Sequence, residues 1–242
     1  LSVVHVHNRP RYVKSLRRMG YRGRILLHMH NSLSSYVTPE EFAAFRDQID
    51  EIVFCSEFLR QEALSEFGSL PKSGVLHNGV SAPRTEDDPP RRTSGSLVFA
   101  GRLVQEKGAA EAIEICTALN ALGKPTRLTI LGGTGSGISN DSTSYSRALV
   151  EAARVTNDRF GASTVVIRGP VPHRAVLEEF ARSDVFLYPC SWQEPFGMVA
   201  LEAMSAGAIP VVSDRGGLAE VLGPTGYLIT WPKNEPTGNT DT

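Results

Sequence analysis

The densest set of chemically useful groups is Ser191-Trp192-Gln193-Glu194-Pro195-Phe196-Gly197-Met198-Val199-Ala200-Leu201-Glu202. It follows a strand-like run, Val185–Tyr188, and opens a helix that stops at Gly207. Pro195 suits the chain at a helix start, and Gly197 removes the side chain where a ligand could approach the backbone. The first turn then offers N–H groups at 197–199 with the helix dipole behind them, a ready anion site. The dipole alone contributes only about 0.3–2 kcal/mol. Glu194 and Glu202 flank this site. Carboxylates beside a phosphate are unfavourable unless they accept hydrogen bonds from hydroxyls, and sugar and ribose hydroxyls are suitable donors. A plainer reading makes Glu194 a partner of the helix dipole and Glu202 a solvated helix residue. Composition alone leaves both open.

A second constellation is Phe99-Ala100-Gly101-Arg102-Leu103-Val104-Gln105-Glu106-Lys107-Gly108. Arg102 can bind phosphate through two parallel hydrogen bonds and Lys107 can add a point charge. Each charge-assisted bond is worth about 1.5–3 kcal/mol. The competing reading is a surface ion pair of Lys107 with Glu106 or Glu111. Gly132-Gly133-Thr134-Gly135-Ser136-Gly137 lacks the lysine of a P-loop and follows the second strand of its domain, so it reads as a loop or lid. His5-Val6-His7 and His28-Met29-His30 each place two imidazoles on one strand face. Two such strands side by side could build a metal site. No Cys, Asp or Glu cluster stands nearby to complete one, so the expectation is no metal, with one histidine of each pair at a strand end facing the interdomain crevice. There is no G-x-S-x-G of a serine hydrolase and no repeated acidic pair of a glycosidase.

These groups need elements to hold them. Short β-rich runs alternate with amphipathic helices, which implies parallel sheets with helices on both faces. Strands are expected at Val3–Val6, Ile25–Met29, Ile52–Cys55 and Gly74–Leu76. A helix begins at Thr38-Pro39-Glu40-Glu41, with threonine as N-cap and proline in the first turn. Ser56 caps another, through Phe67. Residues 81–96 are rich in proline and charge and read as a linker. Strands resume at Leu97–Ala100, Arg127–Leu131, Val165–Arg168, Val185–Tyr188, Ile209–Ser213 and Gly226–Ile229. The domains are therefore an abbreviated N-terminal one over 1–80 and a C-terminal one over 97–231, followed by a disordered tail at 232–242. Ligands of such sheets bind beyond the carboxyl ends of strands. That rule points to Gly101-Arg102, Gly132-Gly133, Gly169-Pro170, Pro189-Cys190 and Asp214-Arg215.

The 242 residues carry 21% charged and 41% hydrophobic side chains, an ordinary globular balance. A net charge of -1 gives no support to bulk nucleic-acid binding. No apolar run approaches the roughly 18 residues of a membrane span, and no signal peptide is visible. Cys55, Cys116 and Cys190 are odd in number and widely spaced, as expected of buried thiols in a reducing, cytoplasmic compartment.

Together the motifs resemble glycosyltransferase family 4, of the GT-B fold. The matching features are Gly101-Arg102 with Lys107-Gly108, Gly169-x-Val171, and Ser183 through Pro189. They continue with Glu194 and Glu202 in a Glu-Pro-Phe-Gly-Met frame, and Gly207-x-x-Pro210-Val211-Val212 before Gly216-Gly217. Asn78-Gly79-Val80 matches the entry to the linker, and Val6–Pro10 resembles lipopolysaccharide-core and spore-coat members. The resemblance implies a fold of two doubly wound α/β domains and a retaining, metal-independent hexosyltransferase. Its donor would be a nucleotide-diphosphate sugar and its acceptor a saccharide or lipid-linked sugar, with no further cofactor and peripheral membrane contact compatible. It assigns Arg102 and Lys107 to the donor diphosphate, and Gly101 to the turn that carries them. The frame Pro195-Phe196-Gly197-Met198-Val199 is assigned to the distal phosphate and sugar. Glu194 takes the transferred sugar's hydroxyls, Glu202 the ribose and Val171 the nucleobase side, and His30 lies near the donor sugar. Relative to that family the chain is short at both ends. An inert nucleotide-sugar-binding fragment and a nucleotide-sugar epimerase are the alternative readings.

Overall fold

The computed structural model describes residues 2–81, 92–133 and 144–230. Most of the expected linker, the loop from Thr134 through Gly137 and the expected tail lie outside them. Two compact units form. The first takes residues 2–81 together with Trp192–Ala206 and Arg215–Pro224. The second takes the described residues from 92 to 191, Gly207–Asp214 and 225–230.

The first unit is built on a four-stranded, all-parallel sheet ordered β1 (Val3–His7), β2 (Arg24–Met29), β3 (Glu51–Phe54), β4 (Ser73–Val75). Parallel neighbours need crossovers. These are α1 (Tyr12–Arg18), α2 (Pro39–Ala43) with short 3-10 turns beside it, and α3 (Glu57–Phe67). The start signals act as expected. Thr38 accepts from the Glu41 amide at 3.2 Å while Glu41 accepts from the Thr38 amide at 3.2 Å, a reciprocal capping box with Pro39 in the first turn. Ser56 caps α3 by accepting from the Leu59 amide at 3.1 Å. One face of the sheet buries Val6, Ile25, Leu27, Met29, Ile52 and Phe54 against Phe42, Phe45 and Leu59. Phe196 joins this core at 5% exposure, which contributes about 2–3 kcal/mol.

The second unit carries a six-stranded parallel sheet ordered β10 (Tyr227–Ile229), β9 (Ile209–Ser213), β8 (Val185–Tyr188), β5 (Ser96–Ala100), β6 (Arg127–Leu131), β7 (Val165–Gly169). Its helices are α4 (Ala109–Ala121), α5 (Ser144–Phe160) and α6 (His173–Arg182). α5 continues to Phe160 because nothing stops it before Gly161, which adopts φ 114°. The central strands are apolar on both faces, with Val98, Phe99, Ile130, Phe186 and Val212 fully or almost fully buried. α7 (Met198–Ser205) and α8 (Leu218–Leu222) pack on each other in the first unit. Among the described residues no helix is long and apolar enough to cross a membrane.

Candidate functional site

In the second unit, β5 sits in the middle. The chain runs β5, β6, β7 to one edge and then returns to lay β8 on the other side of β5. Strand order reverses between β5 and β8, and ligands of such sheets bind in the crevice outside the carboxyl ends at that reversal. Gly101-Arg102 leaves β5 there and Pro189-Cys190 leaves β8. After Arg102 a tight 3-10 turn, Gln105–Lys107, leads into α4. Gly108 caps that helix at φ 86°, and a Cβ there would stand 2.3 Å from the Pro189 carbonyl oxygen. Only glycine lets the helix start lie this close to the end of β8. The Ser191 amide donates to the Glu106 carbonyl at 3.0 Å and closes the other side of the turn.

Lys107 is thereby held at 8% exposure, with Nζ 5.9 Å from the Tyr188 ring centroid. Lys107 is therefore not an exposed side chain, and it has a partner within the chain. Arg102 is exposed. Backbone bonds gather the neighbouring strand ends. Gly101 N–H donates to Leu131 at 3.0 Å, Leu103 N–H to Gly133 at 2.9 Å and Gly132 N–H to Gly169 at 2.9 Å. Val171 follows two residues later, half-buried.

In the first unit, the segment from Glu194 to Glu202 is gripped by residues far away in sequence. Ser56 Oγ donates to the Pro195 carbonyl at 2.6 Å while capping α3. The Gly217 amide donates to the Glu194 carbonyl at 2.7 Å, and the Gly216 amide to Gln193 Oε1 at 2.8 Å. Gly216 has φ 61° and a Cβ there would come within 2.2 Å of the Glu194 oxygen, so this backbone-to-backbone approach also requires glycine. Glu220, on α8, accepts from the Glu57 and Phe58 amides at 2.6 Å each, and from His77 Nε2 at 3.3 Å. A carboxylate from α8 thus neutralises the positive end of α3. α7 opens on Gly197 at φ 101° with no side chain capping it, which leaves the first-turn amides of Met198 and Val199 for an incoming acceptor. Glu194 and Glu202 are half-buried, and both have partners, so neither is a plainly solvated side chain.

Cys55 lies beneath this segment, fully buried, with Sγ 3.9 Å from the Pro195 oxygen. Burial, reinforced by the nearby charges of Glu220 and Glu194, pushes its thiol up to about 11. Cys116 and Cys190 are also buried, and neither is in a disulfide.

His7 closes β1 and His30 follows β2, so each pair does place one member at a strand end. The register puts His7 directly beside His28 and His5 beside Leu26. All four imidazoles therefore share the sheet face opposite Ile25, Leu27 and Met29. Ring centroids lie 4.0 Å apart for His5 and His7, 5.1 Å for His7 and His28, and 4.0 Å for His28 and His30. His30 Nδ1 lies 3.1 Å from Asn78 Oδ1 and its Nε2 lies 2.9 Å from His7 Nδ1. The His30 amide donates to Asn8 Oδ1 at 2.7 Å, an Asn held at φ 50°. Burial, then the neighbouring histidines, lowers His28 to about 4; burial and His7 lower His30. Asn78, Ser56 and Glu220 went unremarked as site-building residues in the sequence. Asn78 was visible only as part of Asn78-Gly79-Val80.

Two all-parallel α/β units of this kind define the GT-B class. The solved structures agree on the fold. A glycosyltransferase from Rickettsia africae superposes with a TM-score of 0.73 at 16% identity, over 97% of this chain and 63% of that one. An Anabaena protein crystallised with UDP and glucose gives 0.66 at 17% identity, over 94% and 64%. Residues 86–235 match the family described as "Glycosyl transferases group 1". The chain belongs to that family. Among curated relatives, spore coat protein SA of Bacillus subtilis is 26% identical over 248 residues, covering 94% of this chain and 64% of its own length. Glycogen synthase of Mycobacterium tuberculosis is 35% identical over 176 residues, covering 72% and 39%. The lipopolysaccharide 1,2-N-acetylglucosaminetransferase of Salmonella typhimurium is 26% identical over 245 residues, covering 96% and 60%. The chain thus spans less than two thirds of the length of these relatives.

Proposed function

We propose that the chain is the donor-handling part of a retaining glycosyltransferase that moves a hexosyl group from a nucleotide-diphosphate sugar to a saccharide or lipid-linked acceptor. The observation that carries this is Lys107. It is a lysine buried in a glycine-closed turn beside Tyr188, at the strand-order reversal of a six-stranded parallel sheet, with the exposed Arg102 five residues before it. Departure of a nucleoside diphosphate builds negative charge on phosphate oxygens. Fixed cations stabilise that charge as it develops, at no reorganisation cost. Arg102 and Lys107 take the diphosphate. The amides of Gly197, Met198 and Val199 hold the distal phosphate and sugar, with Pro195 and Phe196 fixing their loop. Glu194 accepts from the sugar's hydroxyls and Glu202 from the ribose, and Val171 borders the base. His30 stands by the transferred sugar.

With this charge supplied by side chains and amides, donor cleavage needs neither a divalent metal nor a cofactor. Retention follows if the acceptor hydroxyl attacks from the face the phosphate leaves. The phosphate oxygen takes the hydroxyl's proton as the C1–O bond to phosphate breaks and the new C1–O bond forms, so no separate carboxylate base is required. The related proteins named for N-acetylglucosaminyl transfer and glycogen synthesis support a sugar-donor reading.

The test is a thermal-shift screen of UDP-, GDP- and ADP-sugars without divalent metal, followed by transfer and hydrolysis assays. Binding raises apparent stability by about 2.7 kcal/mol at a hundred times Kd. At least one donor should stabilise the chain and be consumed in the presence of a sugar acceptor. No stabilisation by any donor would overturn the reading. Binding without turnover across acceptors would leave a binding fragment, and interconversion of free donor epimers would make it an epimerase.

A further inference from the structure

The histidine face of the four-stranded sheet is not absorbed by this reading beyond His30. His28 sits on β2, flanked in register by His7 on β1 and Val53 on β3. Its neighbours on both sides leave it 5% exposed, and neither ring nitrogen has a hydrogen-bond partner. The Leu76 backbone approaches it without meeting hydrogen-bond geometry. Buried polar groups are normally satisfied, and an imidazole left bare on both nitrogens has its one lone pair available to a ligand. The groups that surround it are more imidazoles. One nitrogen each from His5, His7 and His28 lies within 4.8 Å of the others.

The hydrogen bonds beside this triad set its tautomers. Asn78 Oδ1 can only accept, so His30 carries its proton on Nδ1. A neutral His30 then presents a lone pair at Nε2, and His7 must donate to it from Nδ1. A neutral His7 is left with its lone pair on Nε2. The Asn78–His30–His7 relay is the arrangement by which proteins orient a metal-ligating imidazole: the far nitrogen donates to an outer partner while the near one stays free to coordinate.

We propose that His5, His7 and His28 form a three-imidazole site for a divalent transition-metal ion of the zinc type, with His30 and Asn78 as its outer positioning residues. Zinc binds imidazole nitrogen at about 2.0–2.1 Å, which places tetrahedral ligands roughly 3.4 Å apart. Nitrogens already within 4.8 Å reach that spacing by small side-chain rotations. Three neutral nitrogens leave a fourth position open to water or another donor. Thiolates take no part: all three cysteines are buried, and Cys55 contacts Pro195. The site revises the expectation of a metal-free chain, and it stands or falls independently of glycosyl transfer.

The experiment is a calorimetric titration of the metal-stripped 242-residue chain with Zn2+, paired with visible spectroscopy of the Co2+ form. One equivalent of Zn2+ should bind in the micromolar range or tighter, and Co2+ should give d–d bands without a thiolate charge-transfer band. His5→Ala with His7→Ala, both at exposed positions, should weaken binding at least about tenfold, and His28→Ala should do the same if circular dichroism shows it folded. Asn78→Leu should weaken it less while keeping the one-to-one stoichiometry. His77→Ala and His173→Ala, which replace the only other histidines, should leave it unchanged. Absence of saturable binding, a thiolate band, or full retention in the His5/His7 double variant would each overturn the proposal.

Discussion

The two units hold their chemically active groups by different means. At the carboxyl edge of the six-stranded sheet the backbone does the holding. Gly108 lies against Pro189, the amides of Gly101, Leu103 and Gly132 pair across strand ends, and Lys107 is buried in a turn soon after its own strand. In the unit on the four-stranded sheet, side chains distant in sequence add to the backbone contacts of Gly216 and Gly217. Ser56 reaches Pro195 across 139 positions, Glu220 reaches the α3 amides across 163, and Asn78 orders the histidines across 48. A backbone-held site fails when a Cβ is added. A side-chain-held site fails when one oxygen is removed. The first failure is abrupt and the second graded.

The largest expected effect lies at the charges themselves. Arg102→Ala with Lys107→Ala should lower sugar transfer by at least about a thousandfold, since loss of one fixed donor to a developing charge typically costs about 10²–10³. Unchanged rate and donor affinity in that double variant would remove both residues from the mechanism.

Next come the contacts that tolerate no side chain. Gly108→Ala forces φ 86° on a residue with a Cβ and drives it into the Pro189 carbonyl. It should cost about 2–4 kcal/mol in urea unfolding. Gly216→Ala should cost a similar amount, because its Cβ meets the Glu194 oxygen. A loss below about 1 kcal/mol in either would mean these loops yield more readily than close packing allows.

Graded losses are expected from the side-chain knot. Glu220→Gln keeps the shape but offers one acceptor where the Glu57 and Phe58 amides need two. Unfolding free energy should fall by about 1–3 kcal/mol. Ser56→Ala removes the α3 cap and the bond to Pro195 together, for about 1–2 kcal/mol. If the pair is coupled through the Glu194–Gly197 segment, the double variant will lose less than the sum of the singles.

The smallest effect is a pH dependence. Cys55 keeps its proton in the folded chain up to about 11, above its ordinary value of 9.0. The unfolded thiol ionises first, so the stability this group contributes is complete below about 9 and drains away as pH rises toward 11. The difference in stability between the native chain and Cys55→Ala should therefore change over that window and be flat below it. A flat difference throughout would mean the thiol is not shielded.

Much of this was legible in the primary structure because the signals were local. Alternating strands and helices gave parallel sheets, and Thr38-Pro39 and Ser56 announced helix starts that the hydrogen bonds bear out. Gly101-Arg102 and Lys107-Gly108 marked a turn at a strand end. Lys107 itself was ambiguous between an exposed ion pair and a fixed charge, because burial depends on where β8 returns in the sheet. The roles of Glu220 and Asn78 were not legible at all. Each acts on groups more than forty positions away, and neither Glu220's neighbours nor the Asn78-Gly79-Val80 motif points to those groups.

By itself, then, the amino-acid order determined the class of fold, the family and the segments that carry charge. Periodicity, capping residues and glycines act over a few residues, so they can be seen without coordinates. Tertiary structure alone decided which side chains are buried and which nitrogens are bare. The register of β1 against β2 converts two separate histidine pairs into one face of four imidazoles, and strand order sets Lys107 beside Tyr188. Those outcomes depend on pairing between distant strands, which is fixed by the packing of whole sheets.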